Sequence, residues 1–400
     1  MNSIQLAQSF GQEMWLDYIR RGLLTSRELK KLVDLGITGL TANPTILEKA
    51  ILGSTDYDED LLRLAQIDKK PDEIYEILAV EDVRASADLF RPVFDRTNGE
   101  WGYACLEINP LLAYGTERTI EEARRLFVVL DRPNVMVKVP ATPEGIPAIR
   151  RLTGEGINVN VTLIFSLAMY EQVMEAYITG MEDLINSGRE PGKVASVASF
   201  FLSRIDTAVD SILGARILGG ERGLNVLMGK AAVTSAKLAY RAFKNTFHGE
   251  RFAALKAKGA RVQRPLWAST GTKNPQYSDV KYVEPLIGHD TVNTLPLATI
   301  YAFLDHGRAE DTIELDVDEA KQDLKALEDA GISLEEVTDK LLSDGVKAFS
   351  DSFENLMARI SDKKAQLTGR KRVYPGTNIR VYTLDENNAG ASKRHSKIDQ

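Results

Sequence analysis

Residues 134–142 read NVMVKVPAT. The run is short, apolar and rich in β-branched side chains, with Pro133 before it and Pro140 near its end. That is the signature of a fully buried strand, the kind a parallel sheet uses when both of its faces are covered. Lys138 interrupts it. An ammonium held out of water without a partner is costly, so such a lysine either lies at the strand's wet end or gives up its proton and becomes a nucleophile. Side chains alternate along a strand, so Asn134, Met136 and Lys138 share one face and Val135, Val137 and Val139 the other. The valine face suits a layer of helices, which directs Lys138 toward the interior of whatever the sheet encloses.

Outward from this segment, similar runs recur with helical stretches between them. They lie at EMWLDYI (13–19), GITGLTANP (36–44), GYACLEINP (102–110), GINVNVTLIF (156–165), VASVASFF (194–201), RPLWAST (264–270) and DTVNTLP (290–296), which with NVMVKVPAT makes eight. The intervening stretches carry helix-start signals. Thr142 stands before Pro143 in TPEGIPAIRRL, and Ser166 opens SLAMYEQVMEAYITGMEDLI, as a capping hydroxyl and a first-turn proline do. Eight alternating β and α units over about 300 residues predict an α/β fold, a single (β/α)8 TIM-type barrel, rather than an open doubly wound sheet. Residues 72–95 and 223–258 read as additional helices. Residues 315–367, with LEEVTDKLLSDGVKAFSDSFENLMARI, read as terminal helices able to cover a barrel mouth. The barrel is expected to span residues 1–366. Residues 367–400 hold seven basic residues against three acidic and read as a polar, flexible C-terminal tail.

Composition narrows the function. Hydrophobic residues make up 44% of the chain and charged residues 27%, as in an ordinary globular protein. A formal charge of -7 argues against nucleic acid as a partner. The single cysteine, Cys105, cannot close an internal disulfide, and the start MNSIQLAQSFGQEMW lacks the basic and apolar regions of a secretory signal, so the expected location is the cytoplasm. No apolar run reaches the roughly 20 residues of a membrane span. GKAA at 229–232 lacks the hydroxyl residue and spacing of a phosphate loop, and GGERG at 219–223 is not a dinucleotide fingerprint. The four histidines stand far apart, so no metal is expected. Asn160 in NVT matches a glycosylation acceptor, but it sits inside a predicted buried strand.

The informative pattern is polar residues at the carboxyl ends of the strands, which in a parallel barrel all face one opening, where barrel active sites are built. Asp17, Asn43, Glu107, Lys138, Asn160, Thr162, Ser199, Arg204, Ser269 and Lys273 all occupy such positions. Taken singly, each has an ordinary explanation as a cap, a turn amide or a solvated charge. Together, one lysine, two carboxylates and several amides and hydroxyls suit carbonyl chemistry. A lysine amine can attack a ketone to form an imine, and the protonated imine is an electron sink that lets a neighbouring carbon–carbon bond break.

These segments resemble the transaldolase family in its longer bacterial-type form. The resemblance rests on WLDYIRRGLLTSRELKKLVDLGITGLTANPTILEKAI, NVMVKVPATPEGIPAI, GINVNVTLIFS, SVASFFLSRIDTAVD and RPLWASTGTKNPQYSDVKYVEPLIG followed by DTVNTLP, from about residue 11 to 366. It implies a cofactor-independent class I aldolase barrel, acting on sugar phosphates in the pentose phosphate pathway. The implied reaction transfers a dihydroxyacetone unit from sedoheptulose 7-phosphate or fructose 6-phosphate to glyceraldehyde 3-phosphate or erythrose 4-phosphate. By motif, Lys138 is then the Schiff-base lysine, Asp17 the acid/base at the donor's C4 hydroxyl, and Glu107 the residue that assists imine formation through a water. Asn43, Asn160 and Thr162 orient the bound triose and that water. Ser199 and Arg204 match the phosphate site, Lys273 stands where shorter relatives use a second arginine, and Ser269 is a further substrate-binding candidate. Cys105 replaces a common serine and is expected to pack as a small hydrophobe. Two alternatives remain at this point: a fructose 6-phosphate aldolase-like lyase, whose relatives are shorter and use a tyrosine-activated water in place of Glu107, and a barrel that only binds sugar phosphates. A homo-oligomer is compatible with either.

Overall fold

The computed structural model describes residues 1–368. All eight predicted strand segments form strands: β1 (Gln12–Leu16), β2 (Ile37–Thr41), β3 (Tyr103–Glu107), β4 (Val135–Pro140), β5 (Val159–Ile164), β6 (Ser196–Phe201), β7 (Arg264–Ala268) and β8 (Thr291–Leu295). They pair in parallel, in chain order, as a closed barrel. β8 returns to β1 with Leu295 opposite Leu16, so no strand edge is left unpaired.

The helices build the outer layer and the extras. α1 (Ser3–Ser9) precedes the barrel, α2 (Arg21–Thr25) and α3 (Glu28–Leu35) join β1 to β2, and α4 (Pro44–Leu52), α5 (Asp58–Gln66) and α6 (Pro71–Arg96) join β2 to β3. α7 (Thr116–Leu130), α8 (Gly145–Gly154) and α9 (Leu167–Asn186) follow β3, β4 and β5. Between β6 and β7 come α10 (Ser203–Leu218), α11 (Ala231–Phe247) and α12 (Glu250–Lys256), and after β8 come α13 (Leu297–Asp305), α14 (Val317–Asp329) and α15 (Leu334–Thr368).

Local sequence explains several boundaries. Ser166 caps α9 by accepting the Met169 N–H at 3.1 Å. Gly102 enters β3 at φ 94°, and a Cβ there would lie 2.6 Å from the Phe94 nitrogen, so only glycine lets α6 pack this close. The helix expected from Pro143 begins instead at Gly145. Thr142 donates to the Ala113 carbonyl at 2.6 Å and accepts the Gly145 N–H at 3.0 Å, so the hydroxyl closes a turn before the helix starts. The helix expected over 223–258 is divided into a 3₁₀ turn at Leu224–Leu227, α11 and α12. One break falls at Gly229, whose N–H binds Asp210 Oδ1 at 2.7 Å and is thereby withdrawn from helical bonding.

The main core fills the barrel and the space beneath its helices. A satellite cluster of Ile51, Tyr57, Leu61, Leu64, Ile74, Leu78, Leu356 and Ile360 clamps α15 across α4, α5 and α6, and this holds α15 at the barrel mouth. The boundary expected after residue 366 falls inside α15, and the tail from 369 onward lies outside the described residues. No described helix is long and apolar enough to cross a membrane.

Candidate active site

Parallel pairing sets Glu107 on β3 opposite Lys138 on β4, and Lys138 opposite Asn160 on β5. The three side chains therefore form one row near the carboxyl ends of adjacent strands. Above them a cavity of about 250 Å³ is lined by Asp17, Asn43, Lys138, Thr162, Ser199, Arg204, Ser269 and Lys273. Eight of the ten residues expected from sequence line this mouth; Glu107 and Asn160 lie in the wall beneath it.

Lys138 is 4% exposed. Its Nζ donates to the Ala42 carbonyl at 3.2 Å and lies 3.3 Å from Glu107 Oε2, an ion-pair contact whose angle leaves that oxygen without a completed hydrogen bond. The valines of β4 are fully buried on the other side of the strand. Burial pushes the Glu107 carboxyl above its ordinary range, and the nearby Lys138 charge partly offsets this. Asn134 and Asn158, which alternation groups with the inward face, stand just before β4 and β5 and bond backbone carbonyls there. Asn134 Nδ2 donates to Ala87 and Gly102, and Asn158 Nδ2 donates to Val135.

Asp17 follows β1, its N–H bonded to the Leu295 carbonyl at 2.8 Å. Thr41 Oγ1 donates to Asp17 Oδ1 at 2.8 Å, which leaves Thr294 Oγ1 to donate to Thr41 at 2.7 Å. Burial raises the Asp17 carboxyl, with Lys138 and the Thr41 bond opposing. Sequence reasoning missed both threonines. Thr41 ends β2 and Thr294 stands one residue before the end of β8, close to the level of the residues that were chosen, but nothing in the sequence sets them apart from other strand threonines.

Asn160 is fully buried. It donates to Cys105 Sγ at 3.4 Å and accepts from Ser199 Oγ at 2.7 Å. Cys105 is thus more than a small packed hydrophobe: it accepts the bond that orients the Asn160 amide, while burial pushes its thiol up to about 11. Beside it β5 changes register between Val161 and Ile164, and Leu163 takes φ 60°, a strained value for a bulky residue. Thr162, next to that irregularity, keeps a buried Oγ1 with no partner.

The opposite corner is cationic. Arg204 starts α10 and sits between two rings, 5.4 Å from the centroid of Phe201 and 5.7 Å from that of Phe349 on α15. Among the described residues no carboxylate oxygen lies within 4.0 Å of its guanidinium. Gly345 on α15 packs beside it, where a Cβ would come to 3.1 Å from Leu163 Cδ2 and in ordinary contact with Arg204 Nη1. Ser269, at φ 54°, shares a bond of 2.9 Å with Ser203. Asn43 Oδ1 caps α4 by accepting the Ile46 N–H at 2.9 Å, so its Nδ2 is the end free to meet a ligand. Lys273 is exposed at the rim, on a segment held to α10 by Tyr277 donating to Asp210 at 2.7 Å and Tyr282 donating to Asp206 at 2.9 Å.

This arrangement can hold an anionic group at Arg204 while presenting an amine and two carboxylates to the atoms beyond it. Residues 14–360 match the family described as Transaldolase/Fructose-6-phosphate aldolase. The protein named Transaldolase from Thiobacillus denitrificans is 46% identical over 361 residues, covering 90% of this chain and all of the relative. Transaldolase from Trichodesmium erythraeum is 42% identical, covering 92% and 99% of the two chains. Transaldolase 2 of a Nostoc species is 43% identical, covering 91% and 98%. Similarity of this degree runs through the whole barrel and through the α15 cover, and the chain belongs to the transaldolase/fructose-6-phosphate aldolase family.

Proposed function

We propose that this chain is a transaldolase, moving a dihydroxyacetone unit between sugar phosphates through an imine on Lys138. The observation that carries the reading is Lys138 itself, nearly dry at the carboxyl end of β4, in contact with Glu107. The amine attacks the C2 carbonyl of a ketose phosphate, and Glu107 supplies the proton that lets the carbinolamine oxygen leave as water. Asp17, fixed by Thr41, takes the proton from the C4 hydroxyl as the C3–C4 bond breaks. The electron pair is held by the iminium as an enamine until an acceptor aldose arrives. Asp17 then returns its proton to the new hydroxyl.

Arg204 is the phosphate ligand in this reading, supported by its lack of a carboxylate partner, with Ser269 and Lys273 at the rim. Ser199 steers Asn160, and Asn160, Thr162 and Asn43 orient the triose. Full-length similarity to proteins named Transaldolase and the carboxylate beside Lys138 favour transfer over release of free dihydroxyacetone. One cysteine, fully buried, fits a reducing, cytoplasmic setting.

Borohydride reduction with fructose 6-phosphate tests the reading. A three-carbon adduct is expected on the wild type and none on Lys138→Arg, because a guanidinium does not deprotonate to attack a ketone. A borohydride-stable adduct persisting on Lys138→Arg overturns the assignment of the nucleophile.

A further inference from the structure

Glu107 does not line the mouth cavity that Lys138 lines. It lines a second cleft, of about 540 Å³, on the far side of the Lys138–Glu107 contact between α6, α7 and α15. Ile77 and Tyr75 of α6, Leu112 of the loop after β3, and Phe353 of α15 form its walls, and the rings of Tyr75 and Phe353 meet edge to face at 5.3 Å. The outer end is polar and exposed: Arg125, an exposed residue on α7, bonds Glu76 and Glu122 there. The buried pair is therefore a partition. Lys138 lines the substrate mouth, and Glu107 lines a separate cleft.

The reaction proposed above gives that opening a task. When the imine forms, nitrogen bonds to C2, the C2–O bond breaks, and the oxygen leaves as one water carrying a proton from the Glu107 carboxyl. When the product ketose is released, one water must return to C2 and the proton must go back to Glu107. At both moments a sugar phosphate of six or seven carbons occupies a mouth cavity of only about 250 Å³, under the cover of α15. We propose that the cleft behind Glu107 is a water and proton route separate from the substrate mouth, used for imine formation and hydrolysis while the mouth is occupied. This rests on the Lys138 imine. It adds that the site has two entrances, one for sugar phosphate and one for water.

The test fills the cleft from either wall, with Ile77→Trp on α6 and Leu112→Trp on the loop after β3. Both positions are half-buried, and two walls are used so that loss of fold in one variant leaves the other to decide. Adduct formation is followed by borohydride quench in single turnover on the full chain, once with fructose 6-phosphate, which fills the mouth, and once with dihydroxyacetone, which leaves it open. The filled cleft should slow the fructose 6-phosphate adduct by about tenfold, short of the roughly 10²–10⁴-fold cost of losing a general acid outright. The dihydroxyacetone adduct should form at the wild-type rate, because its water can leave through the mouth. Equal slowing with both ketoses would mean that the tryptophan merely displaces Glu107, and no slowing with either would mean that the cleft is idle. Both outcomes overturn the proposal. Failure of the underlying imine reading looks different, since the wild type would then give no adduct with either ketose.

Discussion

The two ends of the barrel both bury charge, and they treat it in opposite ways. At the amino end Arg264 begins β7 with its side chain 7% exposed, bonded to Glu100 at 2.7 Å and to Asp290 at 3.3 Å, with the Trp101 ring 4.2 Å away. Glu13 near it accepts from Gln8 at 2.7 Å and from Thr38 at 2.6 Å. At the carboxyl end, among the described residues, Arg204 has rings but no carboxylate partner, Glu107 keeps an oxygen without a hydrogen bond, and Thr162 keeps a hydroxyl without one. A buried polar group costs free energy until it is satisfied. At the amino end Arg264 meets that cost within the chain, which serves stability, although the buried amide oxygens of Gln12, Asn134 and Gln263 stay without a partner there. The carboxyl end leaves it unmet, which is how a site keeps groups in reserve for a ligand.

Substitutions at the two ends should therefore separate activity from stability. The largest effect expected is at Asp17. Asp17→Ala should still form an adduct with fructose 6-phosphate but cleave it about 10²–10⁴-fold more slowly, the usual cost of removing a general base. The mass of the reduced adduct decides: a six-carbon species should accumulate, and rapid appearance of the three-carbon species alone would assign the C4 proton to another group.

Next is Arg204→Ala. Each lost charge-assisted hydrogen bond costs about 1.5–3 kcal/mol, or about 10–150-fold in kcat/KM for phosphorylated donors. Adduct formation from free dihydroxyacetone should barely change. Equal losses for both ligands would make Arg204 a folding residue like Arg264 and erase the contrast between the ends.

Arg264→Met is the mirror experiment. It should lower unfolding free energy by about 2 kcal/mol, read by urea titration, while kcat/KM per folded molecule stays at the wild-type value. The smallest effect concerns Glu13, whose carboxyl is raised above its ordinary 4.5 by burial, with the Thr38 and Gln8 bonds opposing. A carboxylate raised in the folded state is destabilising once ionised, so the wild type should lose stability as pH climbs from 4.5 through the folded value. Glu13→Gln should not show that loss. Melting curves for both proteins across this window check the sign, and a wild type that gained stability relative to Glu13→Gln would reverse it.

Much of this was legible in the chain. Strand β4 announced itself because β-branched runs between prolines have few other uses, and alternation alone directed Lys138 away from the helices. Asp17, Asn43 and Ser199 were visible as polar residues closing apolar runs. Thr41 and Thr294 were not chosen, because a threonine in a strand is common and only its partner distinguishes it. Cys105 was read as packing, since a thiol's acceptor role depends on which amide reaches it. Phe349 and Gly345 had no local signal at all: they lie on α15, more than 140 residues from Arg204, and become site residues only because the Leu356 and Ile360 cluster seats that helix across the mouth.

The sequence by itself determined the eight strands, their parallel order and the row of polar side chains at their ends, because these follow from periodicities of two and 3.6 residues and from the rule that consecutive βα units wind one way. Tertiary structure alone decided which charges meet. Lys138 and Glu107 are 31 residues apart and touch because the β3–β4 register sets them opposite each other; Arg204 meets the Phe349 ring because α15, from a distant part of the chain, crosses the barrel mouth beside it; and Glu107 lines a cleft of its own between α6, α7 and α15. Burial and pairing depend on distances between segments, and a chain written in one dimension does not contain those distances.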